Sequence, residues 1–168
     1  IIVYDAGSGH KEISFLAHKD KIKALDISPG DDRIISGSTD KNVKVWNREG
    51  RLELSFLEHQ NEVLAAGFTP DGKMAYSIDW VGLLNYWDIS ETHGLSSVVL
   101  PENTAPPFFF SSDGKKLFSG SQTNMGLVWN AETGAKVLEI PAQPFPISHA
   151  EFSRNAELLL THVSGFGT

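Results

Sequence analysis

Apolar positions in this chain come in short bursts closed by turn formers, and the bursts recur from Ile22 to Thr161. The first set runs Ile22 to Ile27, Arg33 to Ser38, Val43 to Trp46 and Leu52 to Leu57, with Pro29-Gly30-Asp31-Asp32 between its first two members. Segments this short, rich in β-branched and large apolar side chains and separated by Gly, Pro, Asp and Ser, read as antiparallel strands. A second set reads Val63 to Phe68, Met74 to Ile78, Leu83 to Trp87 and Ser96 to Leu100. A third reads Pro106 to Phe110, Lys116 to Gly120, Gly126 to Trp129 and Lys136 to Ile140, and a fourth starts with Ile147 to Phe152 and Leu158 to Thr161. Pro70-Asp71-Gly72 and Ser112-Asp113-Gly114 fill the first turn of the second and third sets, and Gly there accepts the positive φ of a tight hairpin. Turn signals every 8 to 12 residues leave no room for helices of several turns.

The sets share a period. Trp46-Asn47, Trp87-Asp88 and Trp129-Asn130 lie 41 and 42 residues apart, and Tyr4-Asp5 sits 42 residues before the first. A unit of this size cannot bury both faces of its sheet alone, so the period implies stacked neighbours. Four short antiparallel strands per unit, here labelled a to d, describe a blade of a β-propeller, an all-β fold. The phase predicts a half blade (strands c and d) over 1–17, whole blades over 18–57, 58–100 and 101–142, and a half blade (strands a and b) over 143–168. Either the two halves join and close a four-bladed ring, or the chain is an interior segment of a larger one.

The residues that carry the likeness to a family are His18, Ser36-Gly37-Ser38-Thr39-Asp40 and Val43-Lys44-Val45-Trp46-Asn47. They resemble a WD40 repeat, and the resemblance extends over essentially all of 1–168. It implies a buried hydrogen-bonded chain of Asp, His, Ser and Trp in each blade, falling here on Asp40, His18, Ser36 and Trp46. The second unit offers His59, Ser77 and Trp87, with Val81 in the Asp slot. The third offers Ser119 and Trp129, with Pro101 in the His slot and Thr123 in the Asp slot. The fourth offers Thr161, with Gly165 in the Asp slot. Incomplete networks imply blades held by packing and less regular b–c turns in the second and third units. WD40 rings usually carry about seven blades, which favours the larger ring.

Composition narrows the partners. With 14 Lys plus Arg against 21 Asp plus Glu, the net charge of −7 argues against a general nucleic-acid surface. Nine of those basic residues fall within 1–60, among ten acidic ones, which reads as a solvated face. The absence of cysteine excludes disulfides and thiolate metal sites. Apolar runs such as Phe108-Phe109-Phe110 are far short of the roughly 18 residues of a membrane helix. The chain opens on Ile1 without the pattern of a signal peptide, as a piece of something longer would.

Catalytic motifs find no support. Of the six histidines, His10, His18, His59, His93, His149 and His162, two are blade residues. His59-Gln60-Asn61-Glu62 lacks the second histidine of a zinc helix. No Gly-x-Ser-x-Gly elbow occurs. Gly7-Ser8-Gly9 is a c–d turn, and neither it nor Ser164-Gly165-Phe166-Gly167 has the context of a phosphate loop. Asp31-Asp32 is turn chemistry rather than a calcium loop. Asn130-Ala131-Glu132-Thr133-Gly134-Ala135 resembles a turn of quinone-cofactor propellers and equally the ordinary c–d turn of WD40 blades. No cofactor and no metal are expected.

The expected role is therefore a noncatalytic scaffold that binds proteins or peptides through its loop faces within a larger complex, with cytoplasmic residence as the default. The resemblance places the partner-binding positions at Lys21, Lys23 and Thr39, at Glu62, Leu64 and Trp80, and at Thr104, Pro106 and Gln122. Trp80 is either an exposed anchor or a plug over its turn. An enzyme- or cofactor-associated propeller and a histone or nucleic-acid reader are the alternatives.

Overall fold

The computed structural model describes residues 1–57, 59–89, 95–100 and 104–163, and every element among them is a β-strand. Strands β1 (Ile2–Tyr4) and β2 (Lys11–Ser14) form a two-stranded sheet. Three four-stranded sheets follow. The first is β3 (Ile22–Ile27), β4 (Arg33–Ser38), β5 (Val43–Asn47) and β6 (Leu52–Phe56). The second is β7 (Val63–Phe68), β8 (Met74–Asp79), β9 (Leu83–Asp88) and β10 (Leu95–Val99), and the third is β11 (Thr104–Phe110), β12 (Lys116–Ser121), β13 (Gly126–Asn130) and β14 (Lys136–Ile140). Strands β15 (Ile147–Phe152) and β16 (Leu159–Val163) make a last pair. In each sheet, strands adjacent in sequence are hydrogen-bonded antiparallel neighbours. Among the described residues, the two-stranded sheets do not pair with each other.

Neighbouring sheets bury their faces on one another, and the periodic tryptophans explain how. Trp46 lies 4.8 Å from Phe15, which follows β2. Trp87 stacks on Phe56 of the first blade with ring centroids 4.1 Å apart. Trp129 is buried with Leu84, Tyr86 and Ile78 of the second blade. Each strand-c indole thus packs back onto the preceding sheet, so the repeat of indoles in the sequence is the repeat of inter-blade cores in space. The opposite face of each sheet packs forward: Ile35, Val43 and Val45 meet Val63, Ala66 and Phe68.

Of the four a strands, β3 and β7 run side by side, Asp26 of β3 accepting the Phe68 amide of β7 at 2.9 Å. All four carry an irregularity at the same place. Pairing jumps between Ile22 and Ala24, Val63 and Ala65, Ala105 and Phe108, and Ile147 and His149. These bulges leave Lys23, Leu64 and Pro106 unpaired at the start of their strands, where an extra residue re-aims its side chain.

The b–c turns depart from expectation. Those of the second and third blades are as regular as that of the first: Lys41, Gly82 and Asn124 each take a φ of 60 to 81°, and each amide bonds the carbonyl three residues back. The last residue of strand b supplies the reason. Ser38, Asp79 and Ser121 occupy that slot, and each side chain accepts the amide two residues on. One polar residue at that position is enough to cap the turn, whatever fills the Asp slot.

Candidate functional site

Polar chains inside the first three blades position the b–c turns, and each chain is built differently. In the first, His18 Nδ1 lies 3.0 Å from Asp40 Oδ1 and Nε2 lies 2.8 Å from Ser36 Oγ. Trp46 Nε1 donates to the same hydroxyl at 2.9 Å. One proton arrangement satisfies all of them: Nδ1–H donates to Asp40, and the Ser36 hydroxyl donates to Nε2 while accepting from the indole. Burial holds the His18 pKa below its usual value, against the opposing pull of Asp40. Burial pushes the Asp40 carboxyl up, but the amides of Lys19 and Asn42 together with His18 bring it below the usual range.

The second blade corrects the sequence reading. Val81 does fill the slot of Asp40, yet the acid is present two positions earlier, as Asp79. Its side chain is fully buried. Oδ2 lies 3.3 Å from His59 Nδ1, and Oδ1 accepts the amides of Val81 and Leu83 at 3.1 and 3.0 Å. Asp79 thus does the work of both Ser38 and Asp40. The Ser77 hydroxyl bonds His59 Nε2, and Trp87 Nε1 meets no hydrogen-bond acceptor among the described residues. Buried Asn85 lies 3.4 Å from His59 Nε2 and accepts from Ser97 at 2.7 Å. Sequence reasoning missed Asp79 and Asn85. Their signals were an acid between Ile78 and Trp80 and an amide inside the apolar run Leu83 to Trp87.

In the third blade Trp129 Nε1 donates to Ser119 Oγ at 2.9 Å. Thr123 lies on the turn, 3.0 Å from the Ser121 hydroxyl. In the last pair, Thr161 sits opposite Ala150. Pro101, Gly165, His93 and the segment 164–167 lie outside the described residues.

The b–c turns and strand-a starts form one end of the blades. The Thr39 amide donates to the Lys21 carbonyl at 2.9 Å, and the Trp80 amide to the Glu62 carbonyl at 3.0 Å. Thr104 pairs with Ser121, next to Gln122. Lys21, Lys23, Glu62, Pro106 and Gln122 are exposed, and Thr39, Leu64 and Thr104 are half-buried. Trp80 is 69% exposed and its neighbour Val81 53%. The indole is not a plug over the turn: it stands in solvent.

At the opposite end, a cleft of about 380 Å³ between the second and third blades is lined by Thr69, Asp71, Tyr86, Asp113, Lys115 and Glu132 among others. Among the described residues, no group of three or more His, Cys, Asp or Glu side chains could hold a metal ion, and no helix is long and apolar enough to cross a membrane.

Comparison with known proteins adds to this geometry. Residues 9–47 match the family described as "WD domain, G-beta repeat". The chain is similar to pre-mRNA-processing factor 19 of Oryza sativa subsp. japonica, 25% identical over 95% of this chain and 32% of that protein. It is also similar to the ribosome biogenesis protein BOP1 homolog of Dictyostelium discoideum, 32% identical over 77% of this chain and 16% of that protein. WD repeat-containing protein 82 of Drosophila melanogaster is 26% identical over 83% of this chain and 60% of that protein. The chain spans no more than 32% of the length of the first two of these relatives. Among solved structures, the β-propeller domain of Myceliophteria thermophila Cps50 (Swd1) superposes with a TM-score of 0.78 at 15% identity, covering 96% of this chain and 55% of that one.

Proposed function

Because this chain is a WD40-repeat β-propeller protein, we propose that it is a noncatalytic interaction scaffold whose b–c turn end receives a partner protein or peptide. The observation that carries the reading is Trp80. A large indole that is 69% exposed, held on a capped turn by the buried Asp79, combines wide apolar area with a fixed position. The bulged starts of β3, β7 and β11 set Lys23, Leu64 and Pro106 at the same end, so the surface is broad and rigid enough for a protein ligand.

Relatives named for pre-mRNA processing and ribosome biogenesis support work inside multi-subunit machinery, and they favour the nucleus at least as much as the cytoplasm. The test is affinity capture with the full-length protein and its Trp80→Ala variant, followed by binding of the recovered partner in purified form. The variant is expected to keep its melting temperature and to lose the partner at least tenfold. Equal affinity of both forms would remove the turn end from the argument.

A further inference from the structure

The turn end is not neutral around its indole, and its charge says what kind of partner fits. Lys19, Lys21, Lys23 and Lys41 are all exposed and all belong to the His18 loop, the start of β3 or the first b–c turn. None of their ammonium groups enters an ion pair among the described residues. Among the described residues, the exposed carboxylates of the same corner are Asp20 and Glu62, and Asp20 accepts the Lys21 amide at 2.7 Å. Asp40 and Asp79 are turned inward on His18 and His59. Among the described residues, four exposed lysines therefore stand against two exposed carboxylates at this corner.

That corner adjoins Trp80. Strands β3 and β7 lie side by side, tied by Asp26 and the Phe68 amide, and Gly37 of β4 faces Val63 of β7. The same offset puts the Lys21 and Lys23 end of β3 beside the Glu62 and Leu64 end of β7, from which the Glu62 carbonyl holds Trp80. The surface thus reads as ammonium groups unpaired among the described residues, next to an exposed pair of apolar side chains, Trp80 and Val81.

We infer that the partner engages this end through an acidic segment carrying a bulky apolar residue, its carboxylates facing Lys19, Lys21, Lys23 and Lys41 and its apolar side chain lying on Trp80 and Val81. Unpaired cations at a rim steer an acidic segment and fix its direction, and the indole supplies the apolar contact that charge alone does not. Resting on the scaffold reading above, this names the chemistry of the ligand rather than the existence of the face.

Fluorescently labelled acetyl-Glu-Glu-Phe-Leu-amide, its Gln-Gln counterpart and a single-stranded oligouridine are titrated into the full-length protein. The acidic peptide is expected to bind at least tenfold more tightly than the neutral one, to weaken as salt rises, and to withstand competition by the oligonucleotide. The Lys21→Glu, Lys23→Glu double variant is expected to lose about tenfold, and Lys21→Gln, Lys23→Gln to lose less, both with unchanged melting temperature. Equal binding of the two peptides, no binding of either, tighter binding of the oligonucleotide, or indifference to both lysine variants would each overturn the inference. Loss of the captured partner on Trp80→Ala without any effect of lysine reversal sinks the acidic segment and leaves the scaffold face standing, whereas indifference to both sinks the two together.

Discussion

Asp79 reaches His59 from the last residue of strand b, 3.3 Å from Nδ1, two positions before the place from which Asp40 serves His18. Because it also accepts the amides of Val81 and Leu83, its removal strips a buried imidazole and a turn at once. Asp79→Ala is expected to destabilise by about 3 kcal/mol, against about 1–2 for Asp40→Ala at its more open site. Adding Val81→Asp to Asp79→Ser recreates the first blade's arrangement and should recover part of the loss. Urea unfolding decides it. A loss under about 0.5 kcal/mol for Asp79→Ala, or no gain from the added acid, would show that the blade does not depend on this residue.

Ser36 and Ser119 occupy the same slot but carry different loads. Ser36 joins His18 Nε2 and Trp46 Nε1, whereas Ser119 serves Trp129 Nε1. Ser36→Ala therefore abandons two buried groups and should cost about 2–3 kcal/mol, and Ser119→Ala about 1. Paired chemical denaturation checks the ratio. Equal losses would mean that the His18 bond contributes nothing net.

Much of this was legible in the sequence, because two signals are written in the chain: short apolar runs closed by turn formers, and the indole roughly every 41 residues. Strand positions followed from the first and sheet stacking from the second. Asp79 escaped because slot-by-slot alignment assumes that a role keeps its position. A side chain two positions earlier reaches the equivalent imidazole when the turn is capped from the strand end, and nothing in the spacing announces that. Trp80 was ambiguous for another reason. Whether a turn indole folds inward depends on space beneath the turn, which Asp79 and the capped amides already fill.

Acid should weaken the first blade in two stages. His18 binds its proton less readily folded than unfolded, because burial lowers its pKa from 6.5. The unfolded chain then takes up more protons as pH falls, so this contribution is present in full above 6.5 and is lost as pH drops through the folded value. Asp40 has the same sign further down, its share being present above 3.8 and lost below it. Melting temperature should fall as pH drops below 6.5, and His18→Gln should flatten that part of the curve while lowering its plateau. An unchanged slope in the variant would place the acid sensitivity elsewhere.

Gly37 lies at a close contact between the first two blades. A methyl group built on it would stand 2.6 Å from Val63 Cγ1 and 3.3 Å from Ala66 Cβ. Strand pairing with Val43 and Ala24 fixes the backbone on both sides, so relief must come from the inter-sheet contact itself. Gly37→Ala is expected to cost about 1–3 kcal/mol through overpacking, despite the better strand conformation of alanine. Val63→Ala makes room at the same spot, and the double variant should be less destabilised than the sum of the singles, since one cavity accepts one methyl. A double-mutant cycle by urea unfolding measures this directly. Strict additivity would mean that the blades part at that contact instead of pressing on it.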